Sequence, residues 1–310
     1  MFGFFAKRLL QTIPTLIGVS LVCFFMIHLI PGDPAQLIAG NEASADEVSI
    51  VRERLGLDKP LYVQYGSYLV HILQGDLGTS LRSERPVATE ILARFPNTLT
   101  LTLFSIAIMV VVGLFAGMSS ATKPNSARDH VSMLFSLLGI SVPVFWFGIL
   151  LILLFSYQLH LLPSGGTAGL ESFILPSLVL GLSSSAVLAR LTRSSVLEVV
   201  NQDYIRTARA KGVRESAVYY LHALKNASIP IITIIGLEFG NLLGGAVLTE
   251  TVFSMNGLGR YVVQAIQFRD YPAVQGSVLF IALIFVLVNM AVDLCYAALD
   301  PRIRLGTRGV

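Results

Sequence analysis

The sequence has 310 residues, of which 54% are hydrophobic and only 13% charged, with a mean hydropathy of +0.71. Soluble domains carry about 25% charged residues, so the composition argues against a pair of soluble domains and for one membrane domain over residues 1–310. The net charge of +3 is interleaved with Asp and Glu, and it excludes the basic footprint of a nucleic-acid binder.

A helix needs about 20 apolar residues to cross a hydrocarbon core about 30 Å thick. Helix is the default there because lipid offers no partner for free backbone groups. The first candidate span is Leu9–Ile30. Lys7 and Arg8 precede it as in a signal peptide, but an apolar run of about 22 residues exceeds the 7–15 of such a segment, so a retained span is expected.

Pro31-Gly32-Asp33-Pro34 stops this helix and opens an external insertion over residues 31–97. Within it, Ser44-Ala45-Asp46-Glu47 reads as a capping box that starts a helix with Val48, Val51 and Leu55 on one face. Pro60 permits a second helix bearing Tyr62, Tyr65, Leu69 and Ile72, and a third is expected over Pro86–Phe95. A segment of about 65 residues is small for an independent domain. It reads as a helical cap over the outer helix ends or as a docking and gating surface.

The second and third spans are expected at Thr98–Ala121 and Val131–Tyr157. The third is long enough to tilt or bend and contains Pro143, beside an aromatic cluster of Phe145, Trp146 and Phe147 that either lines a pathway or fills the core, with the core expected. The fourth, Phe173–Ala189, is short and carries Ser183, Ser184 and Ser185, which makes it the weakest of the set. An inner loop over residues 190–228 follows. Val196–Lys211 reads as a helix continuing the fourth span, and Gly212 can take positive φ to end it. Glu215–Asn226 reads as a short helix with Val218, Leu221, His222 and Lys225 at helical spacing. The residues leave two readings open: a glycine-hinged helical pair that fits a partner's groove, or an amphipathic loop on the lipid surface.

The fifth and sixth spans are Ile229–Thr249 and Gly276–Leu299. Between them, Glu250–Gln275 returns outside and holds a short amphipathic helix, Tyr261–Phe268, bounded by glycine and proline turns. With the N-terminus inside, 14 of the 22 basic residues fall in inner segments, and six of the outer eight lie in one long loop. Long loops count little in this asymmetry, so both termini are expected to be cytoplasmic. The fold class is therefore all-α: a polytopic membrane protein of about six transmembrane helices, with a small external helical cap and a cytoplasmic loop.

Polar groups inside spans mark function by default. Glu238 and Asn241 lie mid-span in the fifth helix, either lining a translocation path or tying the bundle together. Gly236, Gly240 and Gly244 form a small-residue stripe on another face of that helix. Asn289, Asp293 and His28 are further polar groups within spans, and Asp293 suits an interfacial or arginine-paired role. Cys23 and Cys295 fall in different spans, so no disulfide is expected. The five histidines include no i, i+4 pair, and no metal site is expected.

The inner loop reads Asp203-Tyr204-Ile205-Arg206-Thr207-Ala208-Arg209-Ala210-Lys211-Gly212 and continues to His222-Ala223-Leu224-Lys225-Asn226-Ala227-Ser228-Ile229-Pro230. This resembles the cytoplasmic loop of binding-protein-dependent ABC importer permeases of the dipeptide, oligopeptide and nickel branch, which includes glutathione-type systems. Pro31-Gly32-Asp33-Pro34, Leu55-Gly56-Leu57-Asp58-Lys59-Pro60-Leu61, Gly75-Asp76-Leu77-Gly78-Thr79-Ser80, Gly257-Leu258-Gly259-Arg260, Arg269-Asp270-Tyr271-Pro272 and Asp300-Pro301-Arg302-Ile303-Arg304 extend the resemblance along the chain. One departure is Arg206-Thr207-Ala208 where the broad importer pattern has Glu-Ala-Ala. It is typical of this branch, but no role of that Glu carries over.

The resemblance implies a permease of the bacterial inner membrane that forms half of a translocation pathway for short peptides. It implies a second homologous permease, two ATP-binding cassette subunits, an extracytoplasmic solute-binding protein and surrounding membrane lipid as partners. ATP and Mg would be held by the ATPases, and this chain would bind no cofactor or metal. It implies that the segment from Ala208 to Asn226 seats on an ATPase, with Ala208, Arg209, Lys211, Gly212, Glu215, His222 and Asn226 as its coupling residues. No G-x-x-x-x-G-K-[ST] phosphate loop is present, so ATP hydrolysis belongs to other chains. The alternatives are a nickel or metal-chelate importer of the same family, a stand-alone secondary transporter, and an intramembrane enzyme. No repeat between halves supports the carrier, and no His-Glu-x-x-His or Gly-x-Ser-x-Gly supports the enzyme.

Overall fold

The computed structural model describes residues 2–29, 33, 35, 36, 43–54 and 56–299. The described residues are helical throughout, apart from turns and one isolated bridge between Thr79 and Pro86. The Pro31-Gly32-Asp33-Pro34 turn, except Asp33, and the segment beginning at Asp300 lie outside the described residues, as do the side chains of His28, Gly244 and Cys295. The chain forms two compact units, Met1–Phe95 with Tyr261–Val286, and Pro96–Arg260 with Leu287–Val310.

The first unit contains α1 (Phe2–Leu29), α2 (Ala45–Arg54) and α3 (Leu61–Leu73). The expected capping box starts α2: the Glu47 N–H donates to Ser44 Oγ at 3.4 Å, and the Ser44 N–H donates to Glu47 Oε2 at 2.8 Å. The Ser44 N–H and the Ser44 hydroxyl, both donating to Glu47 Oε2, hold the Glu47 carboxyl below its ordinary pKa. Pro60 caps α3 with φ −56° and ψ 145°, a geometry its ring favours at a helix start. α3 lies against α1 through Tyr65, whose ring meets Phe24 edge-on at 5.4 Å and whose hydroxyl bonds Ser20 at 2.8 Å.

α4 (Val87–Thr122) begins in this unit. The expected separate helix over Pro86–Phe95 is the start of α4, which carries Pro96 inside it. The segment before it is held by Asp270, which accepts from the Ser80 hydroxyl and from the Leu81 N–H at 3.1 Å. The same carboxylate accepts from the Ala273 N–H at 3.3 Å and so caps α12 (Tyr271–Leu299). The amphipathic helix expected at Tyr261–Phe268 is α11 (Leu258–Gln267). Arg94 lies over the Tyr261 ring at 4.4 Å, and Arg82 lies over Phe268 at 3.6 Å.

In the second unit, the third apolar run is two helices, α5 (Ala127–Ser141) and α6 (Val144–Gln158), bent by 101°. Pro143 causes the break. It disfavours helical backbone at Val142, which takes φ −80° and ψ 124°. The aromatic cluster divides: Phe147 packs on the core, whereas Trp146 is 50% exposed and Phe145 is 46% exposed. The expectation of a common core place for the three is corrected accordingly.

α7 (Ile174–Val200) follows a 3-10 turn at Leu170–Phe173. The weakest span by sequence is the central helix of this unit. In its most apolar window 67% of residues are buried, against at most 33% in the other three long apolar helices. It packs on α5, on α6 and on α9. Its serines suit a helix whose neighbours are other helices, and that is why its hydropathy is low. Glycines close its crossing with α4. A Cβ at Gly117 would lie 2.6 Å from the Ala189 carbonyl oxygen, and one at Gly113 would lie 2.9 Å from Leu188 Cβ.

α8 (Asp203–Ala210) is separated from α7 at Asn201 and Gln202. α9 starts at Glu215–Ala217, passes through a π-helical turn at Val218–Ala223 and continues as Leu224–Gly245. The short helix expected at Glu215–Asn226 is thus the first part of the fifth apolar helix. α10 (Val247–Val252) leads to the loop before α11. Among the described residues, four helical stretches are long and apolar enough to cross a membrane, the α5–α6 pair makes a fifth if it is one span, and α1 supplies the shorter apolar stretch Leu10–Met26.

Candidate coupling loop and translocation-path residues

The loop over residues 190–228 is built around Gly212. α8 carries Asp203 in its first turn, where a carboxylate opposes the positive end of the helix dipole. Ile205 is its buried anchor, while Tyr204 and Arg206 are exposed. The helix ends in paired backbone bonds: the Gly212 N–H donates to the Arg209 carbonyl at 2.9 Å, and the Val213 N–H donates to the Ala208 carbonyl at 3.2 Å. This is the Schellman arrangement, and it requires the φ of +79° that Gly212 adopts.

The turn is stapled across its mouth. Arg209 Nε donates to Glu215 Oε1 at 2.8 Å, and Arg209 Nη2 donates to Glu215 Oε2 at 3.3 Å. Two parallel bonds fix the angle between α8 and the start of α9. The carboxylate beside Arg209 also raises its guanidinium pKa, so the charge is retained. Of the seven residues expected to couple, Arg209, Lys211, Gly212, Glu215, His222 and Asn226 are exposed and Ala208 is half-buried. Ala208, Arg209, Lys211, Gly212 and Glu215 are gathered at the turn. His222 and Asn226 stand further along α9, joined to each other by a bond from Asn226 Nδ2 to the His222 carbonyl at 2.8 Å. The exposed surface also includes Tyr220 and Leu221 at 56% and 67%. Such a mix of apolar and charged groups suits a protein groove.

Glu238 has partners. It accepts from Ser184 Oγ of α7 at 2.8 Å and from Asn241 Nδ2 at 3.4 Å. The carboxylate therefore ties α9 to α7 while remaining half-buried, and Asn241 is exposed. Gly236 packs as the glycine stripe suggests: a Cβ there would lie 2.2 Å from Val292 Cγ2 on α12. Among the described residues, no group of three His, Cys, Asp or Glu is placed to hold a metal ion.

Two buried carboxylates were not singled out by sequence. Asp129, at the start of α5, accepts from Arg193 Nε and Nη2, both at 2.7 Å, from the Asn125 N–H at 2.9 Å and from the Ser120 hydroxyl. Arg193 read as one cation of the inner loop, yet its charge is committed to α5. Glu250 is fully buried after α9. It accepts from Thr98 Oγ1 at 2.6 Å and from the Arg260 N–H at 2.9 Å, and Thr98 Oγ1 accepts from the Leu258 N–H at 2.8 Å. Burial raises the Glu250 pKa, while bonds from Thr98 and the N–H groups of Arg260 and Gly259 oppose that rise. The motif Gly257-Leu258-Gly259-Arg260 is thus a backbone wrapped round one carboxyl. An acidic residue at the end of an apolar run, followed by two glycines, was the signal available.

Comparison with known proteins gives consistent matches. The family described as "Binding-protein-dependent transport system inner membrane component" matches residues 109–305, and its N-terminal companion matches residues 1–102. The glutathione transport system permease protein GsiC of Salmonella typhi is 49% identical over 304 residues, covering 98% of this chain and 99% of that one. The dipeptide transport system permease protein DppB of Alkalihalophilus pseudofirmus is 46% identical over 332 residues, covering 98% of this chain and 100% of that one. Among solved structures, the inward-facing MetNI methionine ABC transporter aligns with a TM-score of 0.56 at 19% identity, over 68% of this chain and 96% of that one. An amino acid ABC transporter with histidines aligns with a TM-score of 0.52 at 19% identity, over 69% and 94% of the two chains. At that identity these two speak for the fold alone.

Proposed function

The chain belongs to the binding-protein-dependent transport system inner membrane component family, and on that premise we propose that it is the permease subunit of an ATP-driven importer of short peptides, in the dipeptide and glutathione class. It forms half of the translocation pathway, and a second homologous permease forms the other half. Both termini face the cytoplasm of a bacterial cell, and a solute-binding protein delivers substrate from outside. Two ATP-binding cassette subunits hold ATP and Mg, and this chain catalyses no reaction and carries no cofactor.

The observation that carries this reading is the exposed, stapled turn between α8 and α9. Ala208, Arg209, Lys211, Gly212 and Glu215 form a rigid knob at the end of two long apolar helices, with His222 and Asn226 beyond it. A knob seated in an ATPase groove passes on a rigid-body movement, provided its contacts differ in energy between two states of the assembly. Support for peptide cargo comes from relatives named for glutathione and dipeptides that match end to end. Glu238 and Asn241 are the polar groups proposed for the path.

Uptake tests the proposal. Cells lacking the chain are compared with complemented cells for accumulation of labelled dipeptide, labelled glutathione and nickel. The expected result is loss of peptide or glutathione uptake, restored by the chain and abolished by ATP depletion. Uptake driven by an ion gradient without ATP would replace this reading with a stand-alone carrier.

A further inference from the structure

A groove with a cavity volume of about 800 Å³ runs between α4, α5 and α7, and neither Glu238 nor a residue of the coupling turn lines it. Its rim carries Phe115, Val131 and Phe135, exposed by 77%, 52% and 69%. Its floor is small: Ala116 on α4, Gly139 on α5 and Ala186 on α7. Gly139 lets α5 and α7 close at the base, where a Cβ would lie 3.1 Å from Ala186 Cβ.

Serines line the groove without making it polar. Ser132 donates its hydroxyl to the Ala116 carbonyl at 3.2 Å, Ser136 to the Ser132 carbonyl at 3.0 Å, and Ser185 to the Leu182 carbonyl at 2.7 Å. With three of the five lining serines satisfied by backbone, most of the wall presents hydrocarbon. A peptide, which brings unsatisfied amides, gains nothing there.

One end of the groove is charged. Arg128, in the first turn of α5, lines it and is exposed. No carboxylate among the described residues pairs with Arg128, because the neighbouring Asp129 is taken by Arg193. Lys123 and His130 are also exposed close by in sequence. α5 has 15 residues, so it is roughly 22 Å long at 1.5 Å per residue. One leaflet supplies about 15 Å of hydrocarbon, half of a 30 Å core, with a headgroup beyond it. An apolar groove beside a helix of about leaflet length, with an exposed guanidinium at one end, matches one molecule in shape and charge.

We infer that the groove between α4, α5 and α7 is a binding site for an anionic phospholipid, with an acyl chain along Phe115, Val131 and Phe135 and the phosphate at Arg128. This goes beyond the transport reading and does not depend on the substrate.

The test places the full chain, with whatever subunits co-purify, in phosphatidylcholine vesicles doped with phosphatidylglycerol carrying a diazirine on its acyl chain. Illumination and peptide mass spectrometry then map the adducts. Labelling is expected to concentrate on Phe115, Val131 and Phe135 over the exposed Leu287 of α12. Arg128→Gln is expected to lower groove labelling about five-fold, the weight of one basic side chain near an anionic headgroup, with Leu287 unchanged. Arg128→Lys should restore it, and a diazirine phosphatidylcholine should label the groove no more than Leu287. Equal labelling of groove and Leu287 without dependence on Arg128 would overturn the site as ordinary boundary lipid. An unlabelled groove, with a cysteine at Val131 cross-linking to another polypeptide, would overturn it as a protein interface.

Discussion

Gly257 packs so closely on the carboxyl of Glu250 that a Cβ at position 257 would lie 2.2 Å from Glu250 Cδ. The glycine is there for space, and the space is for a buried acid. Gly257→Ala should therefore destabilise the protein by about 1–3 kcal/mol, the usual cost of overpacking. Thermal unfolding in detergent measures it, with Gly18→Ala as the control, since nothing lies within 4 Å of a Cβ at Gly18.

Glu250 also sets a pH dependence. Burial raises its folded pKa above the ordinary glutamate value. The sign follows: its contribution is fully present below the ordinary value and is lost as pH rises through the raised one. The melting temperature of the wild type should fall on that alkaline side, relative to its own value at lower pH. Glu250→Gln should remove this dependence while costing about 1 kcal/mol, because its carbonyl can keep the Arg260 N–H while its NH2 loses the bond that the Thr98 hydroxyl donates.

Asp129 and Arg193 form a pair whose carboxylate is almost wholly buried. Removing one partner strands the other charge, at a cost of about 3–5 kcal/mol. Asp129→Asn and Arg193→Met should each lower the melting temperature sharply. The double variant should recover part of the loss, and a double-mutant cycle measures the coupling.

The staple at the inner turn should behave differently. Arg209 and Glu215 are 36% and 61% exposed, and such pairs add only about 0–1 kcal/mol to stability. Arg209→Ala should leave the melting temperature nearly unchanged while uptake and substrate-stimulated ATP hydrolysis fall together. Gly212→Val should do the same to transport, with an added strain of about 1–3 kcal/mol from forcing a branched residue to positive φ.

Glu238→Gln separates charge from packing. Glutamine can still accept from Ser184, so stability should change by less than about 1 kcal/mol. If the charge faces the path, uptake should drop several-fold at unchanged melting temperature. Unchanged uptake would leave Glu238 as a tie between α7 and α9 alone.

Local signals carried much of the fold. The box at Ser44 and Glu47, the positive φ at Gly212 and the amphipathic helix after Gly259 all depend on residues within a few positions of one another. Among the described residues each of the six apolar runs is helical, the third as two helices broken at Val142 and Pro143. The differences arise where distant residues decide. Ser183, Ser184 and Ser185 made α7 look weak, because hydropathy assumes lipid around a helix and α7 is surrounded by helices. Arg193 read as an inner-loop cation, because its partner Asp129 is 64 residues away. The burial of Glu250 is legible only in part, from its place at the end of an apolar run before Gly257 and Gly259, because Thr98, which meets it, is 152 residues earlier. Glu215–Asn226 runs on into the fifth apolar helix because Pro230 does not break α9, which carries it inside.

The measurement closest to the central claim is cross-linking from the inner turn. Cysteines are placed in turn at Arg209 and Glu215 of the full chain in its native membrane, treated with a short bifunctional reagent, and the adducts identified by mass spectrometry. The account predicts adducts to a polypeptide that carries a G-x-x-x-x-G-K-[ST] phosphate loop, with yields that change when ATP is added. A chain that yields no protein adduct at either position, purifies alone and still transports would contradict it.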